Sequence, residues 1–383
     1  MRLLLFILAA VLLIAAGAFF LVIPKRVDAG MNQIVPHTPY AIGEGAAALH
    51  STLRVADLHN DALLWDRDFL QSQTRGHSDA PRLVKGRFRL QVLSSVTKTP
   101  RNLNYAENDA ASDNITPLVI AQRWPMKTWG SLAERALHHA ALAESAAKRS
   151  NGGLALVRTK PELAAALDSG AIAIVLATEG AHPLEGDLAN LDRLYDAGFR
   201  MLGLQHFFDN ELGGSLHGFS NAGLTDFGRA AVIAAEERGM IIDVAHSSEA
   251  VVRDVLAIAK DPLVVSHTGM RGHCENDRNF SDGLMREIAA RGGLVGIGFW
   301  DGAVCEATVP SIAAAIVYAI ETLGADHVAL GSDYDGATTV PFDASEIAAL
   351  TDALLKAGVS EDNIRAVMGE NALRFFADHL PAE

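Results

Sequence analysis

An α/β fold, specifically a (β/α)8 TIM barrel preceded by an N-terminal transmembrane helix, is predicted by three observations. Eight short, almost continuous apolar runs alternate with helix-like stretches over about 330 residues, the pattern of parallel strands covered on both faces. A polar, chemistry-bearing side chain stands directly after most of those runs, where barrels of this type collect functional groups. Ahead of them Leu3 to Ile23 is an uncharged apolar run of 21 residues, and about 20 in helix cross a bilayer core.

The runs are, in order, "RVADL" ending at Leu58, "RLQVLSSV" at Val96, "IAIVLAT" at Thr178 and "RMLGLQ" at Gln205. "MIIDVA" ends at Ala245, "PLVVS" at Ser266, "GLVGIGF" at Phe299 and "HVALGS" at Ser332. Between them, stretches such as "LTDFGRAAVIAAEERG" and "SSEAVVRDVLAIAK" carry small or apolar residues at helical spacing, and several stop at Gly. An open doubly wound sheet is the competing fold, but no Gly-rich phosphate turn follows the first run. A long insertion separates strands 2 and 3, from Thr97 to about Gly170. It starts polar and then contains a helix, "SLAERALHHAALAESAAKRS", on which His138 and His139 are expected at the surface.

The chain divides into residues 1–26 as an anchor or signal segment, 27–50 as a tether, and 51–383 as the barrel. The apolar run is longer than a usual signal core and "VDAG" at Val27–Gly30 is a poor cleavage site, which favours a retained anchor over secretion after cleavage. Either way the bulk of the chain is exported to a periplasmic or extracellular side. The charges flanking the run, Arg2 and then Lys25 and Arg26, do not fix its orientation. A net charge of -14 without a basic block argues against nucleic-acid binding. Two cysteines, Cys274 and Cys305, are too few for a thiolate metal site; two buried thiols and one disulfide both fit an exported chain.

The strand ends carry the functional signal. His59 and Asp61 follow the first run, Glu179 the third, His206 the fourth, His246 the fifth, His267 the sixth and Asp333 the eighth. Seven such groups around one opening need a metal or mutual pairing, because an unpaired buried carboxylate or imidazole is costly. Imidazole and carboxylate without thiolate suit zinc, with other divalent transition metals as alternatives. His59, Asp61, Glu179, His246, His267 and Asp333 are too many for one tetrahedral ion but suit two ions sharing a carboxylate. Such a pair serves hydrolysis. His182 and Asp335 are expected beside the site rather than in it, with a longer eighth strand exchanging Asp333 and Asp335. His217 is a candidate for the pocket lining.

These residues lie in motifs that resemble one family. "HND" at 59, "EGAH" at 179, "DVAHSS" at 243, "VSHT" at 265, "NDRN" at 276, "GSDYDG" at 331 and "GENALRFF" at 369 are similar to the membrane (renal) dipeptidase family of zinc peptidases, within the amidohydrolase superfamily. The resemblance spans roughly Arg54 to Phe376. It implies two Zn2+, one held by His59 and Asp61 and one by His246 and His267, with Glu179 bridging them. It implies that Asp333, beside the first ion, is the acid/base group for a metal-bridging hydroxide, and that His206 polarises the substrate. Arg278 would grip the terminal carboxylate of a dipeptide, a task suited to a guanidinium. A disulfide between Cys274 and Cys305, tolerance of a C-terminal D-residue and a homodimer are implied in the same way. Two places depart from the family's pattern: Gln205 precedes His206 where Thr is common, and the insertion after Thr97 is unfamiliar and in a position to cover the site. A lactone or cyclic-amide hydrolase on the same fold would favour a bridging lysine, but no lysine closes a strand. A silent binding homologue would have lost a ligand, and every position is filled.

Overall fold

The computed structural model describes residues 2–383. Its eight barrel strands are β1 (Val55–Asp57), β2 (Phe88–Val96), β3 (Ile172–Glu179), β4 (Phe199–Gly203), β5 (Ile241–Asp243), β6 (Val264–Thr268), β7 (Leu294–Ile297) and β8 (Val328–Leu330). All pair in parallel with their sequence neighbours, and β8 pairs with β1, which closes the ring. Alternation along each strand sorts the side chains. Along β3, Ala173, Val175 and Ala177 fill the barrel interior, whereas Ile172, Ile174 and Leu176 pack under the surrounding helices. Glu179 is the next residue on the interior side, so the strand itself delivers a carboxylate to the mouth. The opposite end is plugged by the last helix, Asn371–His379, through Ala372, Leu373 and Phe376.

The insertion has more structure than its sequence shows. A short extra strand, Leu154–Leu156, pairs with the start of β3, so the sheet has nine strands rather than eight. The long helix Leu132–Arg149 begins at Ser131, whose hydroxyl accepts from the Glu134 amide. Its His139 is fully buried, contrary to expectation, and bonds Ser95 at 2.7 Å; desolvation holds its pKa near 3. From the same helix the buried Arg135 guanidinium donates to the carbonyls of Thr97 and Thr128, to the Asp113 carboxylate and to the Thr116 hydroxyl. One side chain thus folds the polar loop 97–131 back across the barrel mouth, using the five donors of its planar head.

The N-terminal apolar segment is one continuous helix, Arg2–Met31. Its first turns are exposed, but its last turns lie on the barrel. Asp28 is buried, pairs with Arg67 at 3.3 Å and Arg75 at 2.6 Å, and accepts from Asn32. Gln33–Ile34 then pairs in parallel with Thr339–Val340, and the helix Glu44–His50 packs against Ala348–Lys356. Residues 27–50 therefore lie along the barrel surface instead of hanging free.

Candidate metal centre

The mouth of the barrel is built from the residues that end its strands. Glu179 closes β3, and Gly180 follows at a φ of +78°, a left-handed turn suited to glycine. A side chain at 180 would strike the His182 ring at 2.3 Å and His206 Cβ at 3.2 Å. That glycine lets His206 approach Glu179. After β5, Ser248 caps the helix Glu249–Ile258 by accepting from the Val251 amide, which leaves His246 in the turn above the strand. After β8, Asp333, Asp335 and Ala337 all have positive φ, near +57°, +63° and +61°. Each non-glycine residue in that region costs roughly 1–3 kcal/mol, so the loop must be held from outside. Trp65 donates its indole N–H to the Asp335 carbonyl, and the Ala337 amide donates to Asn32 Oδ1.

Glu179 is the centre of the arrangement. One oxygen, Oε2, lies 3.7 Å from His59 Nε2, which is also 3.7 Å from Asp61 Oδ1 and 4.0 Å from Asp333 Oδ1. The other, Oε1, lies 3.1 Å from His206 Nε2, 3.2 Å from His246 Nε2 and 3.5 Å from His267 Nε2. All of these residues are buried. Three triads have their donor atoms within 4.8 Å of one another: His59, His267 and Asp333; Glu179, His206 and His246; and His59, Asp61 and Glu179.

The residues present fit metal ions. Two ligands on a tetrahedral zinc with bonds of about 2.1 Å are roughly 3.4 Å apart, and the Glu179 separations bracket that spacing. His59 Nε2, Asp61 Oδ1 and Glu179 Oε2 are buried without a hydrogen-bond partner, a costly state that a cation among them relieves. His246 Nε2 and His267 Nε2 face each other at 2.9 Å, which needs a shared proton or a cation. Protonation equilibria reflect the same crowding. Burial raises Asp61, and the Glu179 charge adds to it, to about 6. Burial also lifts Asp333 well above the usual carboxylate range. Burial opposes ionisation of Glu179, but His206 and His59 outweigh it and hold its pKa well below the ordinary value.

Sequence reasoning missed the layer beneath. Asp243 and Ser266 lie inside the barrel just below the histidines, and Ser266 Oγ sits 2.6 Å from Asp243 Oδ2. A hydroxyl has one hydrogen; once it goes to Asp243, the oxygen accepts Nδ1–H from His267 at 2.9 Å and from His59 at 3.3 Å. Both rings then turn their Nε2 lone pairs to the centre, the second-sphere arrangement that orients metal-binding imidazoles. The signal was the polar pair inside "IIDVA" and "VVSHT".

Other expected residues fall as follows. Arg278 is buried beside the cluster; it donates to the carbonyls of Ala245 at 3.0 Å and His267 at 2.7 Å, with Nη2 3.3 Å from His246 Nε2. Among the described residues no carboxylate lies within 4.0 Å of its guanidinium. Asp335 stays outside the cluster, bound by Arg67 at 2.8 Å and by the Ser78 hydroxyl at 2.6 Å. His182 is buried against Phe208, with neither ring nitrogen bonded. His217 stacks on Phe207 close to His246. Cys274 and Cys305 form a disulfide that closes the loop carrying Arg278.

The comparisons with known proteins point one way. The family described as membrane dipeptidase (peptidase family M19) matches residues 44–380. A dipeptidase of Aspergillus oryzae, aclJ, is 28% identical over 85% of this chain and 78% of its own length. An uncharacterised dipeptidase of Schizosaccharomyces pombe is 29% identical over 55% of this chain, which spans only 54% of that relative. The crystal structure of a metallopeptidase from Rhodobacter sphaeroides, liganded with a phosphinate mimic of L-Ala-D-Ala, superposes with a TM-score of 0.67 at 24% identity, over 86% of this chain and 99% of the other.

Proposed function

Given that this chain belongs to the membrane dipeptidase family, peptidase family M19, we propose that it is an exported, membrane-anchored dipeptidase working with two zinc ions. The observation that carries this reading is Arg278: a buried guanidinium without a carboxylate partner, fixed by two carbonyls, at the edge of a cluster built for cations. A buried charge left unpaired is costly, and a ligand carboxylate relieves that cost. Beside the cluster, such a ligand is a short peptide bound by its free C-terminus.

When bound, two divalent cations supply Lewis acidity, activating water and polarising a carbonyl. His59 and Asp61 would hold one, His246 and His267 the other, and Glu179 both. The chain's own groups do the rest. Arg278 orients the substrate by a paired hydrogen bond to its carboxylate. That sets the scissile carbonyl over Glu179, near His206, whose Nε2–H stabilises the oxyanion. Asp333 takes a proton from the attacking water and returns it to the leaving amine. The insertion covers the mouth and limits the length of peptide that fits. Family membership supports trying L,D- as well as L,L-dipeptides.

The test is a panel of dipeptides, their C-terminal amides, tripeptides and lactones, assayed with added zinc and after chelation, with metal content measured alongside. Dipeptide turnover that vanishes with the metal, at two zinc ions per chain, supports the reading. Equal turnover of dipeptides and their amides would refute the role of Arg278, and full activity without metal would refute the whole.

A further inference from the structure

The site opens into a cavity of about 550 Å³, and one wall of it is not part of the barrel. Phe19, Ile23, Val27 and Met31 line it from the N-terminal helix. They are spaced four residues apart, so they form a single stripe along one helical face. Asp28, locked to Arg67 and Arg75, fixes the rotation that turns this stripe inward. The facing wall comes from the insertion, including Leu103, Pro117 and Leu118. Val27 and Leu118 both pack on the cluster formed by Leu64, Trp65 and Ile115. The outer chamber is apolar, while the charged groups are confined to its floor.

The floor gives the chamber a direction. Arg278 stands on the His246 and His267 side and takes the C-terminal end of a substrate. The N-terminal residue then falls on the other side, by Asp61 and Asp333. That side adjoins Trp65, the loop 336–338 and the helix stripe. The same helix holds the apolar run Leu3–Ile23, followed at once by the exposed Lys25 and Arg26. At about 1.5 Å per residue the run matches the hydrocarbon thickness of a bilayer, so these two charges mark the headgroup level. Ile23 and Phe19 lie within two turns of that level on its membrane side and face the cavity, which brings the cavity rim down to the bilayer.

Resting on the anchored-dipeptidase reading above, we infer that the N-terminal helix is a wall of the substrate pocket: it places the pocket mouth at the bilayer surface and selects dipeptides with a large apolar N-terminal side chain. The helix is consequently retained in the mature protein. Its removal would expose Trp65 and leave Arg67 and Arg75 without Asp28.

The experiment uses the full chain in phosphatidylcholine vesicles with zinc, comparing Phe-Ala with Gly-Ala. The wild type favours Phe-Ala by about tenfold or more in kcat/KM. Met31→Asn and Ile23→Asn, at half-exposed positions of the stripe, lower that ratio about fivefold, mainly through KM. Met31→Trp, which fills the chamber, lowers it too, so the result does not depend on one variant folding. Ile233→Asn, an exposed apolar position away from the cavity, leaves the ratio unchanged. A wild-type ratio near one overturns the inference, as does a ratio insensitive to all three stripe variants while Gly-Ala is still cleaved. Failure to cleave either peptide in the zinc-loaded protein is a different result: the dipeptidase reading falls, and this inference with it.

Discussion

Two nests of buried charge flank the loop after β8, and they are built on opposite principles. On one side Asp335 is saturated: Arg67, the amides of His77 and Ser78 and the Ser78 hydroxyl all reach it. Burial alone would raise its pKa, but Arg67, His77 and the hydrogen bonds from Ser78 and the His77 amide together outweigh that and keep it below the ordinary value. On the other side, two residues away, Asp333 joins a cluster in which several buried polar atoms have no protein partner, and burial drives its pKa up. The saturated nest is a clamp, tying the N-terminal helix to a strained loop. The unsaturated one is left open, because its remaining valence is available only to something from outside. Burial is alike in both; the difference is that the Asp335 carboxylate meets full positive charge and protein donors, whereas Asp61 and Glu179 each keep an oxygen without one.

Substitutions can break each side separately. Glu179→Gln removes the charge facing both halves of the cluster, so activity is expected to fall to background and bound metal to drop below one ion per chain by elemental analysis. Arg67→Met strikes the clamp instead. Breaking a buried pair while leaving Asp28 and Asp335 charged is expected to cost about 3–5 kcal/mol in chemical denaturation. Metal content per folded molecule should be affected far less. Arg278→Met is expected to lower kcat/KM for a dipeptide by about 2–5 kcal/mol of binding energy, and little for its amide, in parallel steady-state assays. Ser266→Ala frees the His59 and His267 rings, and competition with a chromogenic chelator should show zinc affinity falling about 10–100-fold.

The smallest effect concerns acid. His139 and His50 are buried away from the metal cluster, with folded pKa values near 3 and 4 because desolvation opposes their charging. Unfolded, each binds a proton near pH 6.5. Their contribution is therefore intact above pH 6.5 and is lost as pH falls from there toward the folded values. Each removes up to about 1.4 kcal/mol per pH unit, discounted for His50, which is less completely buried. Thermal melts between pH 7 and 5 should show this, and His139→Gln should flatten the slope.

The barrel and the ring of buried polar residues at its mouth were legible because each depends on local pattern: an apolar run, then a polar residue at a strand end. His59, Glu179 and His267 announced themselves that way. What escaped has no local signature. Asp28 and Arg67 are far apart in sequence, and neither shows that the other will neutralise it. The strand Leu154–Leu156 is too short for a period to show. His139 sits in a helix whose apolar face is made of alanines, so nothing marked its inward direction. Pairing within the barrel interior hid Asp243 and Ser266 inside runs that counted simply as strand.

The bridge between Cys274 and Cys305 closes a loop that includes Arg278 and ends five residues beyond Trp300, over which the guanidinium lies. Closing a loop of that length stabilises by roughly 3.7 kcal/mol on chain-entropy grounds. The arginine proposed to take a substrate's terminus is thereby coupled to the thiol chemistry of its surroundings. Chains made where thiols stay reduced would assemble the same cluster at the barrel mouth yet hold Arg278 less firmly. Oxidising conditions during production would then serve both the stability of the barrel and the placement of Arg278.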